Sequence, residues 1–388
     1  MDLRRVRPPD RDDASDPELM TRIRDEIRRD GPITFARFME IALYDPARGY
    51  YRSRVARPGR AGDYLTAPEA HPIFGRAIAP FARAVHDAIG SPEPLTIREF
   101  GAGEGALAEP LVTALASRRI RYLVAEVEPA RVESVRARLL ATHSDIEVVA
   151  DDGRAIDGLA IANEVLDALP THRVVQRRDR LREILVGLAA DGEELIDAEG
   201  DPSTPALADR LQDEAVALRD GQLAEVCLAV DAWVATAAAG LASGVLLIVD
   251  YGHAASELYG ERRQAGTLAT YQGHRVGDDP YRAVGHQDIT AHVDVTAVER
   301  AATGAGLDHL GTTTQSAFLD ALGLGNLLVA EQTAPGATLQ GYLEARSAVV
   351  RMIDPAAMGG FPVMAFGRGL PPGITLDGLL ERVGAADS

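Results

Sequence analysis

The segment 95–117 constrains this chain more than any other. Leu95-Thr96-Ile97-Arg98-Glu99-Phe100 has strand character and runs straight into Gly101-Ala102-Gly103-Glu104-Gly105, then into a helical stretch at 106–117. A strand that turns through glycines into a helix places a ligand at the carboxyl edge of an open α/β sheet. Glycines permit unusual backbone angles there and bring the main chain against the ligand, where a Cβ would obstruct it. The same grammar continues with a strand at 120–127, a helix at 129–142 that opens on Pro129, and short apolar strands at 146–150, 159–162 and 245–249. Strands alternating with helices imply parallel pairing and right-handed crossovers, hence an α/β fold with a doubly wound, mostly parallel sheet.

Around this main domain, assigned to 91–388, the flanking regions read differently. Residues 1–16 are expected to be a flexible tail, polar and charged from 10 to 16. Residues 17–90 form an N-terminal helical region. Leu19, Met20, Ile23 and Ile27 recur at helical spacing, Thr34 caps a second helix carrying Phe35, Phe38, Met39 and Ala42, and Ile73, Phe74, Ile78, Phe81 and Val85 mark a third. The long connection before the third helix contains Gly62-Asp63-Tyr64-Leu65-Thr66-Ala67-Pro68-Glu69, and long ordered loops are often functional. Within the main domain, 174–196 suggests an antiparallel pair turning at Asp191-Gly192, 200–243 a helical inserted cap, and 266–294 a substrate-covering segment.

Two cofactors fit the glycine turn. Glu126 ends the second strand, where a carboxylate can accept hydrogen bonds from both ribose hydroxyls. Gly101, Gly103 and Ala106 also satisfy the G-x-G-x-x-A dinucleotide fingerprint. Against NAD, Glu99 and Glu104 put negative charge where a pyrophosphate would sit. S-adenosylmethionine (SAM) carries a sulfonium and an ammonium and no phosphate, so carboxylates favour it. A glycine turn with no ligand is the plain alternative.

Composition removes other classes. The chain has no lysine, which excludes a P-loop, a pyridoxal phosphate Schiff base and a protein kinase. Its net charge of -18 disfavours nucleic acid and anionic membranes and suits a cationic partner. The single cysteine, Cys227, read as filler in a helical Ala-rich stretch, excludes an internal disulfide; no signal peptide is evident, and the longest apolar runs are too short to span a bilayer. The expected location is cytoplasmic.

Asn163-Glu164-Val165-Leu166-Asp167-Ala168-Leu169-Pro170 follows a strand, and Glu164 and Asp167 would share one face if a helix begins there. The alternative is that Asn163 caps the turn and the carboxylates favour a helix start. Asp250-Tyr251-Gly252-His253 also emerges at the sheet edge, and His253 could accept a proton. Tyr271, His274, Asp288 and His292 are expected to bind the substrate. No metal-ligand spacing such as H-E-x-x-H occurs, and no metal is expected.

With these motifs placed, the sequence resembles the MidA-type SAM-dependent methyltransferases, a family that includes the mitochondrial complex I assembly factor that methylates a protein arginine. The resemblance spans roughly residues 31–366. It rests on Pro32-Ile33-Thr34-Phe35-Ala36-Arg37-Phe38-Met39, Tyr44-Asp45-Pro46, Gly49-Tyr50-Tyr51, the Gly62 to Glu69 run, Phe74-Gly75, the Glu99 to Gly105 run, Asn163 to Pro170, Asp250 to His253, and Asp288-Ile289-Thr290-Ala291-His292-Val293-Asp294. It implies a class I methyltransferase fold with SAM held by Glu99, Gly101, Ala102, Gly103, Gly105 and Glu126, and with Thr66, Pro68 and Glu69 folded over it. Asp151, Asp152 and Asn163 are assigned to the cofactor as well. It also suggests protein-arginine methylation, in which Glu164 and Asp167 would grip the guanidinium. The implied partner is a protein methyl acceptor bearing an arginine or, alternatively, a small-molecule methyl acceptor, and a homodimer is compatible. Two departures, Ala70-His71 after Pro68-Glu69 and Met358-Gly359-Gly360-Phe361, lie near the presumed binding surfaces. An NAD-dependent oxidoreductase and a SAM-binding assembly factor without turnover are the competing readings.

Overall fold

In the computed structural model, which describes residues 14–52, 65–273 and 275–386, the alternating segments form a seven-stranded sheet. From edge to edge it runs Asp308–Thr314, Pro362–Arg368, Leu241–Val249, Ile156–Asn163, Leu95–Phe100, Ile120–Ala125, Glu147–Ala150. The last five are mutually parallel, and Pro362–Arg368 is antiparallel to both of its neighbours. The chain starts at Leu95–Phe100, adds two strands on one side and then crosses to Ile156–Asn163 on the other. The strand order therefore reverses between Leu95–Phe100 and Ile156–Asn163, and a crevice opens at their carboxyl ends.

Successive side chains of a strand face opposite sides of the sheet, and here both sides are buried. Ile97, Leu159 and Leu247 pack under helix Ile73–Ala88 with its Phe74 and Phe81. Leu123, Ala160 and Leu246 pack under helices Ala229–Ala239 and Val295–Gly304. Each such fully buried large apolar side chain contributes roughly 1.5–3 kcal/mol, which is why the strands read as near-continuous apolar runs.

Between Ile156–Asn163 and Leu241–Val249 the chain makes a separate antiparallel sheet, in which His172–Arg177, Arg180–Leu188 and Leu195–Gly200 pair in succession and Asp191-Gly192 lies in the second turn. Helices Pro17–Asp30 and Phe35–Tyr44 share a core with it through Val186 and Leu195. Thr34 caps the second helix, its Oγ1 accepting from Arg37 N at 3.1 Å. After Leu241–Val249 comes another insertion, where Ala269–Gln272 pairs with both Arg275–Gly277 and Asp288–Thr290.

Several expectations change. Residues 1–13 lie outside the described residues, but Asp16, read as part of the tail, is buried and caps the first helix: its Oδ1 accepts from Glu18 N and Leu19 N at 3.0 Å each. The stretch 200–243 is not a helical cap. Leu223–Val226 is a strand on His172–Arg177, and Ala229–Ala239 is an ordinary crossover helix lying on the central sheet, because its buried Val230 and Val234 complete that sheet's core. Cys227 sits between that strand and that helix rather than in a helix. No helix forms at 164–170; the chain turns there instead.

Candidate active site

The predicted strand-end motifs at Gly101–Gly103, Glu126 and Asn163-Glu164 reach the crevice, whereas Asp250-Tyr251-Gly252-His253 lines only the neighbouring cavity, through Tyr251. Gly101 and Gly103 adopt φ of 67° and 54°, the left-handed region, and so turn the chain where it leaves Leu95–Phe100. A Cβ on Gly103 would meet no atom within 4 Å, so it would project into open space. The turn is braced by Gly103 N, which donates to Glu126 Oε1 at 2.6 Å. The neighbouring cavity has a volume of about 580 Å³. Glu99, Gly101, Ala102, Gly103 and Glu126 line it from the first two strands; Thr66, Pro68 and Glu69 close one side; Asp151, Asn163 and Glu164 line it too. Thr66 and Glu69 form a capping box, which fixes that short helical turn over the opening.

The wall of this cavity is acidic. Burial raises the Glu126 carboxyl against the opposing pull of Arg131. Glu99 accepts from Tyr122 OH at 2.6 Å, and burial pushes it up to about 7. Such a wall repels a pyrophosphate and suits a ligand carrying cationic groups. Asn163 Oδ1 is buried with no hydrogen-bond partner, a polar group that a ligand would satisfy. These features fit SAM: Glu126 for its ribose, the Gly101–Gly103 backbone for close approach, and Glu99 for its cationic end.

Not all assigned cofactor residues are brought together. Gly105 turns the chain at φ 79° without lining the cavity. Asp152 does not line it either, because its carboxylate is spent on Arg154, accepting from Arg154 N at 3.1 Å and pairing with the guanidinium. Asp151 stays at the rim because the buried Arg98 holds it, Nε donating to Oδ1 at 2.9 Å. Tyr44, Tyr51 and Trp233 also line the cavity and were not singled out from the sequence; the signal for the two tyrosines was the Tyr44-Asp45-Pro46 and Gly49-Tyr50-Tyr51 run.

A second cavity of about 540 Å³ opens beside the first, and Glu164 lines both. Tyr251, Tyr271, Asp288 and His292 line this second space together with Met358 and Phe361. Asp288 is buried, its Oδ1 accepting from Tyr51 OH at 2.8 Å and from Ile289 N at 2.9 Å. His274 lies outside the described residues.

Glu164 stands at a φ of 53°, rare for a residue with a side chain, and what holds the turn is Asp250. Its Oδ2 accepts from Val165 N at 3.0 Å and Leu166 N at 2.8 Å. Thus Asn163 is not the cap; a carboxylate from the next strand is. Burial first, then the Asp167 carboxylate, push Glu164 up to about 8, and Asp250 rises for the same reasons. Asp167 is pushed up to about 6 by burial, and its Oδ2 accepts from Tyr251 OH.

Two catalytic assignments need correction. Asp167 lines neither large cavity, because without a helix at 164–170 the two carboxylates do not share a face; it lies behind Tyr251. His253 lines neither as well. Its Nε2 faces the Arg263 guanidinium at 2.6 Å, and burial and that charge depress its affinity for a proton. Among the described residues no group of three His, Cys, Asp or Glu side chains is arranged to hold a metal ion, and no helix is long and apolar enough to cross a membrane.

Comparison with known proteins agrees with this geometry. Residues 77–313 match the model of a family described as "Putative S-adenosyl-L-methionine-dependent methyltransferase". A crystal structure of a "likely methyl transferase" from Burkholderia thailandensis, bound to S-adenosyl-homocysteine, is 33% identical, covering 93% of this chain and 96% of that one with a TM-score of 0.83. The Drosophila melanogaster protein named "Protein arginine methyltransferase NDUFAF7 homolog, mitochondrial" is 27% identical over 88% of this chain and 82% of its own length. The human "Protein arginine methyltransferase NDUFAF7, mitochondrial" is 28% identical over 77% and 72%. These relatives are named as mitochondrial, which overturns the cytoplasmic location expected above. The chain therefore belongs to this SAM-dependent methyltransferase family, the one its motifs resembled.

Proposed function

We propose that the methyl acceptor is the guanidinium of a protein arginine, entering through the cavity that Tyr251, Tyr271 and Asp288 line. The observation that carries this reading is the placement of Glu164: one buried carboxylate lines both cavities, and among the described residues it meets no arginine. Its Oε1 accepts from Ala67 N at 3.3 Å and Asn163 Nδ2 at 3.2 Å, burial favours its neutral form, and a cation arriving beside it would draw it into the ionised form. Asp288 supplies a second buried carboxylate in the acceptor cavity. The arginine methyltransferase names of the relatives agree with a guanidinium acceptor.

When bound, SAM supplies a methyl group on a cationic sulfur. The chain's own residues do the rest. A guanidinium is protonated at neutral pH and a poor nucleophile, so the acceptor must be oriented and its charge drawn away from the attacking nitrogen. Glu164, at the junction of the two cavities, would accept from one edge of the guanidinium and Asp288 from another. Tyr251 borders the acceptor and is fixed by Asp167, which makes Asp167 a positioning residue. Phe361 and Met358 form an apolar wall that excludes water beside the reacting nitrogen. Alignment of the reacting atoms and the preorganised negative charge are the main sources of rate.

The test is a labelled-SAM assay on arginine-containing peptides with wild type and Glu164→Gln. The variant should bind SAM and lose about 100-fold or more in transfer, the range for a preorganised electrostatic group. Transfer by Glu164→Gln at the wild-type rate, or wild-type transfer to lysine peptides but not arginine peptides, refutes the reading.

A further inference from the structure

Behind Asp167 lies a small chamber of about 20 Å³, lined by Asp167, Thr171, Tyr259 and His292 among others. Four buried polar atoms on its lining residues have no hydrogen-bond partner: Asp167 Oδ1, Thr171 Oγ1, His292 Nδ1 and Asp294 Oδ2. Asp167 and Thr171 are 4% and 1% exposed, so bulk solvent does not satisfy them. A void of roughly 10–15 Å³ or more with two to four polar partners holds a water molecule, and leaving such groups unsatisfied costs far more than immobilising one water.

We propose that this chamber is a specific water site, and that its water joins Asp167 to His292 as the route by which the acceptor's proton leaves. The geometry is continuous. Tyr251 lines the acceptor cavity and its OH donates to Asp167 Oδ2, while the other oxygen of Asp167 is left for the chamber. His292 lines the chamber and the acceptor cavity, and its ring stacks on that of His253 with centroids 5.4 Å apart. His253 in turn is 26% exposed and lies beside Glu257. The chain of groups therefore runs from the acceptor to the surface.

The acceptor nitrogen forms its bond to the methyl carbon as the carbon–sulfur bond breaks, and the sulfur keeps that electron pair. The nitrogen then gives a proton to Tyr251 Oη as the tyrosine hydroxyl passes its own to Asp167. The protonated Asp167 carboxyl turns its O–H from Tyr251 to the chamber and hands that proton to the water, and the water hands one to His292 Nδ1. His292 releases one from its other nitrogen toward the His253 side. His292 thus takes the role that the sequence assigned to His253, which acts only downstream. The role of the relay rests on the arginine reading above; the water site does not.

The experiment has two arms. A high-resolution crystal structure of the wild-type protein should show one ordered water within hydrogen-bond distance of Asp167, Thr171 and His292, and a dry chamber overturns the proposal outright. In the kinetic arm, His292→Ala should lose at least tenfold in kcat with little change in acceptor KM, and imidazole added to the assay should restore part of the loss. Thr171→Val, which keeps the shape and removes one ligand of the water, should slow kcat without affecting SAM binding. A His292→Ala variant that turns over like wild type, or whose defect imidazole leaves untouched, refutes the relay. If wild type methylates no arginine peptide, the arginine reading fails by itself and the crystallographic arm still decides the water site.

Discussion

The most informative perturbation is the protonation of Glu164. Burial and the neighbouring Asp167 hold its carboxyl up to about 8, whereas only the ionised form can pair with a guanidinium. For such a group the ionised fraction rises from about one in eleven at pH 7 to about ten in eleven at pH 9, so acceptor affinity should rise about tenfold over that interval. The assay is the acceptor KM from initial rates at saturating SAM, measured from pH 6 to 9.5 with an arginine peptide. Wild type should show KM falling with pH and levelling off near pH 9, where the free carboxyl is almost fully ionised. In Glu164→Gln the titrating group is gone, so KM should be high and flat. Stability moves the opposite way. The folded value of Glu164 lies above its unfolded one, so the stabilisation it gives is full below the unfolded value near 4.5 and is lost as pH rises through about 8. The thermal midpoint of Glu164→Gln should therefore exceed that of wild type above pH 8, which separates an affinity effect from unfolding. A wild-type KM that is flat across the range, or a Glu164→Gln profile with the wild-type slope, refutes the assignment of Glu164 to the acceptor.

Other outcomes follow from the same geometry. Glu126→Ala should weaken SAM by about 1–3 kcal/mol in calorimetry, because the ribose loses its acceptor and the Gly103 turn loses its brace; unchanged affinity sinks the placement of the cofactor. Asp288→Ala should raise the acceptor KM while SAM affinity stays at the wild-type value, and the reverse pattern would assign Asp288 to the cofactor. Gly244→Ala should abolish soluble expression or lower the unfolding midpoint severely, because its Cβ would lie 1.8 Å from Gly158 O on the adjacent strand at a φ of 129°; a variant as stable as wild type in denaturant melts would contradict the packing of the central sheet.

The five parallel strands of the central sheet were legible because they are punctuated by turns and largely buried, so apolar runs at 95–100, 120–127, 146–150, 159–162 and 245–249 carry their own signal, whereas Asp308–Thr314 and Pro362–Arg368 on the antiparallel side were not read. The crevice was legible for a related reason: motifs at strand ends converge wherever parallel strands do. What failed was set by contacts far along the chain. The expected helix at Asn163 to Pro170 gave way to a turn with Glu164 at positive φ, held by Asp250 some eighty-five residues away. No local pattern announces that contact, and with the helix gone Asp167 moved from the acceptor to a place behind Tyr251. The strand Leu223–Val226 was hidden because it is four residues long and followed by an Ala-rich helix. Asp152 and Asp151 are adjacent in sequence, and only the buried Arg98 reaching Asp151 decides which of the two faces the cofactor cavity.

The central claim, methyl transfer from SAM to an arginine nitrogen at Glu164, is tested most directly by locating the transferred atom. The purified protein would be incubated with SAM labelled on its methyl group and an extract of host proteins, and labelled peptides sequenced by tandem mass spectrometry beside a Glu164→Gln control that binds SAM. The account predicts the label on arginine side-chain nitrogens with wild type and its loss with the variant. Label on another residue type or on a small molecule, or the same arginine label with Glu164→Gln, would contradict it.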